Sequence, residues 1–296
     1  PACLDSIHHQ TYQPMETIVV DNGSTDGSLS SLKRRKDIIL ITNEENNGFA
    51  AANNQGIRRA RGAWVLLVNS DARLAPDCVE NLMQRVLEGE TIGSAAPKIY
   101  RGEGKTLDST GVLLQKKIFS PCDRGELQTD TGQFDEPESE SIFGPTGAVA
   151  LYRREALAEA RLNGEFFDED FFAYYEDVDL AWRLQLLGWS SVFVPQAVAR
   201  HDRKGPGVKS RRLQMQAYAN RYFCYVKNEI LKGSGHYLLT AVPYECGRYF
   251  YLVLRRPYML GAMLVFFRFL PRMLRKRRLI SACRKPQTEN LKQLSD

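Results

Sequence analysis

Three short apolar runs separated by two helix-compatible segments constrain this chain more than any other feature. Thr17-Ile18-Val19-Val20, Ile38 to Thr42 and Trp64-Val65-Leu66-Leu67-Val68 each read as a buried strand, with Ser28 to Lys36 and Ala50 to Arg61 as the helices between them. Strand, helix, strand, helix, strand within 71 residues predicts an α/β fold with a doubly wound, mostly parallel sheet, because parallel neighbours need a crossover that a helix supplies. Ala2 to Gln10 reads as the end of a helix before the first strand. Farther on, Ala75 to Leu87 reads as a helix started by Pro76, Ser94 to Tyr100 as a strand, and Arg153 to Ala160 as a short helix after a turn and strand at 144 to 152. Residues 101 to 142 are polar with few apolar clusters, so they are expected to form an extended loop with at most a hairpin.

The chemistry gathers where strands end. The first strand runs into Asp21-Asn22-Gly23-Ser24-Thr25-Asp26-Gly27-Ser28, whose backbone N–H groups and carboxylates could meet a nucleotide, with Asp21 accepting from a base or ribose. A capped strand-to-helix turn favours the same residue types. The third strand delivers Asn69-Ser70-Asp71. Ligands of open α/β sheets collect at the carboxyl ends of strands, so Asp71 stands where a metal and a phosphate could meet it; the alternative is a turn using these side chains for its own backbone. Asn47, Asn53 and Asn54 place amides near a helix start. In Phe166 to Leu180, aromatic residues interleave with six carboxylates, and the helix that follows has apolar positions at Leu180, Leu184 and Leu187. Asp177 heads that inward face, whereas Asp179 is expected to point away. His201 follows a strand at Ser191 to Val194, as Asp71 does.

Six stretches in order resemble glycosyltransferase family 2, more narrowly its rhamnosyltransferase-like branch: VVDNGSTDGS at 19 to 28, NNGFAAANNQGI at 46 to 57, LLVNSDA at 66 to 72, GPTGAVALYRREAL at 144 to 157, FFDEDFFAYYEDVDLAWRLQLLGW at 166 to 189 and VPQAVARH at 194 to 201. The resemblance implies a GT-A fold that binds a nucleotide-diphosphate sugar with a divalent metal, Mg²⁺ or Mn²⁺. It places Asp21, Asn22, Ser24, Asn54, Asn69 and Ser70 on the nucleotide side and Asp71 and His201 on the metal. Asp177 matches the base of inverting members, with Glu176, Gly147 and Trp182 toward the acceptor. Asn69 departs from the D-x-D pattern, which weakens a metal role for that residue. The family's first strand should precede the helix ending near Gln10, and this sequence begins after it, so either a shortened sequence or a sheet short of one strand is expected. Transfer of rhamnose from dTDP-rhamnose to a glycan or lipid-linked acceptor in cell-envelope synthesis follows, with galactofuranose or N-acetylglucosamine as other sugars and an inactive sugar-nucleotide scaffold as the non-enzymatic reading.

Charge divides the chain. Of a net +5, residues 248 to 285 hold eleven Lys or Arg and no acid, leaving 29 basic against 35 acidic residues elsewhere. A catalytic domain over 1 to 204 and a basic helical region over 205 to 296 follow. Pro257 to Phe267 is an uncharged run of eleven residues, too short to span a bilayer, which needs about 20. Peripheral association with an anionic membrane face, or a helix packed on the catalytic domain with its basic side in water, fits it. No nucleic-acid recognition motif is present, and nucleic acid is not expected as a partner. Six scattered cysteines without a C-x-x-C pair point to a reducing, cytoplasmic setting, peripheral on the inner face of the plasma membrane if the tail binds lipid.

Overall fold

The computed structural model describes residues 2–115, 120–203, 210–228 and 235–285, with backbone only at 115 and 235–241. Its elements run α1 (Ala2–His8), β1 (Ile18–Asn22), α2 (Ser28–Leu32), β2 (Ile39–Asn43), α3 (Phe49–Arg59), β3 (Trp64–Val68), β4 (Ala72–Leu74), α4 (Cys78–Leu87), β5 (Ile92–Arg101), β6 (Leu107–Ser109), β7 (Val112–Gln115), β8 (Ser120–Asp123), β9 (Val149–Arg153), α5 (Arg154–Glu159), α6 (Glu176–Leu186), β10 (Ser190–His201), α7 (Arg211–Asn228), α8 (Gly235–Arg255) and α9 (Leu260–Cys283). The boundary expected between residues 204 and 205 lies outside the described residues.

The α/β class holds, with a mixed sheet. β1 and β2 pair in parallel from Ile18 opposite Ile39 to Asn22 opposite Asn43. A six-stranded sheet has the order β3-β9-β5-β10-β4, with β6 added to β5. Within it β5 and β10 are parallel, and the other pairings are antiparallel. Among the described residues β1 pairs only with β2 and β3 only with β9, so no ladder joins the two-stranded unit to the main sheet.

Helical spacing explains what covers the sheet. α4 buries Cys78, Val79, Leu82, Met83 and Val86, one stripe of a 3.6-residue period, against β-strand residues such as Ile99 and Val149. On the opposite face α3 presents Ala50 and Ile57, and α6 presents Leu180 and Leu184, around Leu67 and Tyr152. The other flank of α6, through Val178, Ala181 and Trp182, packs on Phe223 of α7. Phe223 in turn stacks on Phe266 of α9 at 5.6 Å between ring centroids. α6 therefore has no solvent face along most of its length. This corrects Asp179: it does point away from the sheet, but into a second helical layer, and it is fully buried.

Residues 101 to 142 also hold more structure than a loop with a hairpin. Besides the β7–β8 hairpin, β6 joins the main sheet, and Pro137–Ser139 forms a 3₁₀ turn. Asp108, Ser109 and Thr110 are buried here, and Arg124 fixes the segment by donating to the carbonyls of Thr110 (3.0 Å) and Ser139 (2.6 Å) while lying over the Phe134 and Phe193 rings. Polar groups with hydrogen-bond partners can be buried, so a scarcity of apolar residues did not mean exposure.

Candidate active site

The loops after β1 and β2 are tied by one side chain. Asn22 Oδ1 accepts from Asn47 N (3.1 Å) and Asn43 Nδ2 (3.0 Å), while its Nδ2 donates to Asn46 Oδ1 (3.0 Å) and Gly48 O (3.1 Å). Beside it Asp21 is buried and accepts from Ser24 N at 3.3 Å, with Ser24 itself exposed. Gly48 precedes α3 at φ 88°, and a Cβ there would stand 2.6 Å from Phe172. Only glycine both tolerates that left-handed backbone and admits the neighbour. Ala50 N then donates to Phe172 O at 3.1 Å, so the segment before α6 is seated on the first turn of α3. Asn54 supports the same joint: fully buried, it donates to Phe167 O (2.8 Å) and Glu169 Oε1 (2.9 Å) and accepts from Phe167 N (2.8 Å). That corrects its expected place on the nucleotide, which a side chain with this burial cannot reach.

At the end of β3, Asn69 O accepts from Ala72 N at 2.9 Å, closing a backbone turn. The turn still delivers its carboxylate: Asp71 Oδ1 lies 3.1 Å from His201 Nε2, and His201 Nδ1 lies 2.8 Å from Asp108 Oδ2. Ser70 is exposed. Asp108 has no exposed surface and is also held by Arg101 and Arg203. Burial works to lower the His201 pKa, but the hydrogen bond to Asp108 and the charges of Asp71 and Asp108 outweigh it and raise the pKa. With Nδ1–H donated to Asp108, the Nε2 lone pair faces Asp71 Oδ1, an arrangement that calls for a proton or a cation at that place. Among the described residues no group of three or more His, Cys, Asp or Glu side chains is gathered as a complete metal cage. One carboxylate and one imidazole nonetheless suit a divalent ion that completes its shell with phosphate oxygens and water.

The third part is Asp177, in the first turn of α6. Its Oδ2 accepts from Gly147 N (2.8 Å) and its Oδ1 from Val178 N (2.8 Å). The next residue, Ala148, accepts through its carbonyl from Asn69 N at 2.9 Å, so a two-residue step links Asp177 to the loop that carries Asp71. Burial raises the Asp177 pKa, only partly offset by the backbone N–H groups of Gly147 and Val178. Asp123, at the end of β8, is raised to about 6 by burial, with the charges of Asp177 and Asp108 adding to the effect, and so stands within electrostatic reach of both.

Two acceptor-side expectations are corrected. Glu176 is buried, its pKa is raised well above the ordinary value by burial and by Asp177, and its Oε2 has no hydrogen-bond partner among the described residues. Trp182 is a core residue, edge-on to Phe143 (5.7 Å) and Tyr225 (5.1 Å). Gly147 lies against Asp177, since a Cβ there would meet Asp177 Oδ2 at 3.4 Å.

The segment before Asp177 is unusual. Phe172, Tyr174 and Tyr175 all have positive φ (60°, 72° and 69°), which non-glycine residues adopt at a cost of order 1–3 kcal/mol each. Asn220 of α7, fully buried, holds them by donating to the carbonyls of Phe171 (2.8 Å), Ala173 (3.1 Å) and Tyr174 (2.9 Å). Below, Lys227 joins Asp168 (2.5 Å) to Asp179 (2.8 Å), Arg183 pairs with Asp179 (3.0 Å), and Lys276 of α9 reaches Asp168 and Asp170. Asp108, Asp123, Asn220 and Lys227 had no sequence signal of their own.

The family model described as Glycosyl transferase family 2 matches residues 1–161. The chain is 28% identical over 226 residues, 68% of its own length and 70% of the other, to the N-acetylglucosaminyl-diphospho-decaprenol L-rhamnosyltransferase of Mycobacterium tuberculosis. It is 33% identical over 185 residues, covering 58% and 50% of the two chains, to the putative glycosyltransferase EpsH of Bacillus subtilis. In fold it resembles the mannosyltransferase PcManGT from Pyrobaculum calidifontis, solved with GDP-Man and Mn²⁺ (TM-score 0.54, 20% identity, 95% and 80% of the chains covered). It also resembles S. aureus TarS 1-349, solved with UDP (TM-score 0.57, 16% identity, 95% and 82% covered). These structural neighbours are GT-A glycosyltransferases.

Proposed function

The chain belongs to glycosyl transferase family 2, and from that membership we propose that it is an inverting, metal-dependent hexosyltransferase that moves rhamnose from dTDP-rhamnose to a hydroxyl of a glycan or lipid-linked acceptor in cell-envelope polysaccharide synthesis. The observation that carries the reading is Asp177, a carboxylate with raised pKa fixed by Gly147 N beside the Asp71–His201–Asp108 row. The rhamnosyltransferase relative supports the choice of sugar. All six cysteines are free, which supports a cytoplasmic setting.

Asp177 would take the acceptor's hydroxyl proton while that oxygen bonds to the anomeric carbon. The bond from this carbon to the diphosphate breaks from the opposite face, so the sugar inverts and a nucleoside diphosphate leaves. Asp71 and His201 would hold Mg²⁺ or Mn²⁺, which when bound neutralises charge on the departing diphosphate. Asp108 keeps the imidazole oriented, and Asp21 would accept from the base or ribose. Because Asp177 works only when ionised, its raised pKa sets the sign of the pH dependence. The acid limb of a kcat/KM profile is expected above the usual aspartate value of about 3.9, with the rate rising with pH through it. A profile flat through the weakly acidic range would remove Asp177 from this role.

The donor site is tested by calorimetric titration of dTDP and UDP, each with and without Mn²⁺, on this chain and on Asp71→Asn. Binding is expected to require Mn²⁺, to favour dTDP, and to weaken by roughly tenfold or more in the variant. Equal binding with and without metal would overturn the metal assignment, and tighter UDP binding would overturn the donor.

A further inference from the structure

The outer sides of α8 and α9 are apolar and uncovered. Phe250 and Leu254 of α8 are 67% and 64% exposed, and Leu260, Leu264 and Phe267 of α9 are 59%, 74% and 59% exposed. The spacings of four, and of four then three, put each set on one stripe of its helix. The opposite side of α9 is the packed one, with Ala262, Met273, Lys276 and Ile280 buried. The two stripes adjoin, since α8 leads into α9 through the 3₁₀ turn Pro257–Met259, and the Tyr249 hydroxyl donates to Met259 O at 3.2 Å. Scattered exposed leucines are ordinary, whereas rows of large apolar residues at helical spacing on successive helices mark a binding surface.

Charge selects the occupant. Arg255, Arg268, Arg275 and Arg278 are exposed on these helices, and none pairs with a carboxylate among the described residues. No acidic residue occurs anywhere from 248 to 285. A second copy of the chain packed through this face would set like charge on like charge. A surface that is apolar within and anionic at its rim meets both features. Among the described residues no helix is long and apolar enough to cross a membrane, so such a surface is met side-on.

We propose that the outer faces of α8 and α9 form a seat for an anionic lipid bilayer, with Phe250, Leu254, Leu260, Leu264 and Phe267 entering the acyl boundary and the arginines meeting headgroup phosphates. This deepens the reading of a lipid-linked acceptor, on which its purpose rests, by giving the chain an orientation. The inner side of α9 holds the loop before Asp177, with Arg272 on Asp170 at 3.0 Å and Lys276 on Asp170 at 2.9 Å. A bilayer against the outer side therefore lies about one helix diameter, roughly 10 Å, from that loop.

The test is flotation of the full chain with vesicles of phosphatidylcholine alone or mixed with phosphatidylglycerol, for the wild type, Leu264→Glu/Phe267→Glu and Arg268→Glu/Arg275→Glu. The wild type is expected to float with the anionic vesicles and roughly tenfold less with the neutral ones, and each double variant to lose roughly tenfold or more. All these side chains are exposed, so melting curves are expected to be unchanged and to separate lost binding from lost fold. Equal flotation of wild type and variants overturns the seat. So does a dimer seen by sedimentation velocity that the Leu264→Glu/Phe267→Glu change dissolves, without any vesicle binding. Nucleotide titration on the same samples keeps the two readings apart: nucleotide binding without flotation sinks the seat alone, and flotation without nucleotide binding sinks the donor site alone.

Discussion

Asp177→Asn is expected to lower the rate of sugar transfer by about 10²- to 10⁴-fold while leaving nucleotide affinity nearly unchanged. The substitution keeps the shape of the side chain, and its single amide oxygen can keep one of the two backbone bonds, from Gly147 N or from Val178 N, while the other N–H loses its acceptor. What is lost is the capacity to hold a proton. The neighbours do not replace it: Glu176 is buried with its pKa raised well above the ordinary value by burial and by Asp177, and Asp123 is raised to about 6 on a different strand. Single-turnover transfer measured beside calorimetric nucleotide binding separates the two effects. An Asn variant that transfers sugar at a wild-type rate would show that some other group removes the acceptor proton.

The second large effect is on stability. Lys227→Met is expected to cost about 3–5 kcal/mol, the range for removing one partner of a buried ion pair. Lys227, Asp168 and Asp179 all have side chains without solvent exposure, so the carboxylates cannot turn to water when the ammonium is removed. Lys276 and Arg183 remain, but each already serves its own geometry. Urea unfolding of Lys227→Met, with Lys227→Met/Asp168→Asn beside it, checks the cause. The double variant removes one orphaned charge and is expected to recover part of the loss. If the single variant unfolds at the wild-type midpoint, the network is not a source of stability.

The first three strands were legible because each is an uninterrupted apolar run, and a half-buried sheet leaves few other ways to place Trp64 to Val68. The roles expected for Asp71, Asp177 and His201 came from a resemblance in order and spacing, and the structure joins Asp71 to His201 directly and to Asp177 through residues 147 and 148. Asp108 was hidden because its burial depends on arginines and a histidine that meet it only in three dimensions. Asp179 was misplaced for a related reason. A helical period shows which side faces the sheet, yet nothing local shows that a later helix covers the other side. Asn220 gave no local sign, since its partners are backbone carbonyls nearly fifty residues earlier.

The clamp of Asn220, Lys227 and Lys276 on residues 168 to 179 bears on how such a chain can be recombined. The match to the family model ends at residue 161, before Asp177, and the supports of the loop that carries Asp177 lie on the later helices α7 and α9. A chimaera joined between residue 179 and α7 would leave the carbonyls of Phe171, Ala173 and Tyr174 without their donor and Asp168, Asp170 and Asp179 without their lysines. In this chain the tail and the acidic loop are one unit of exchange: a join at residue 161 keeps it whole, and one between the loop and α7 cuts through it.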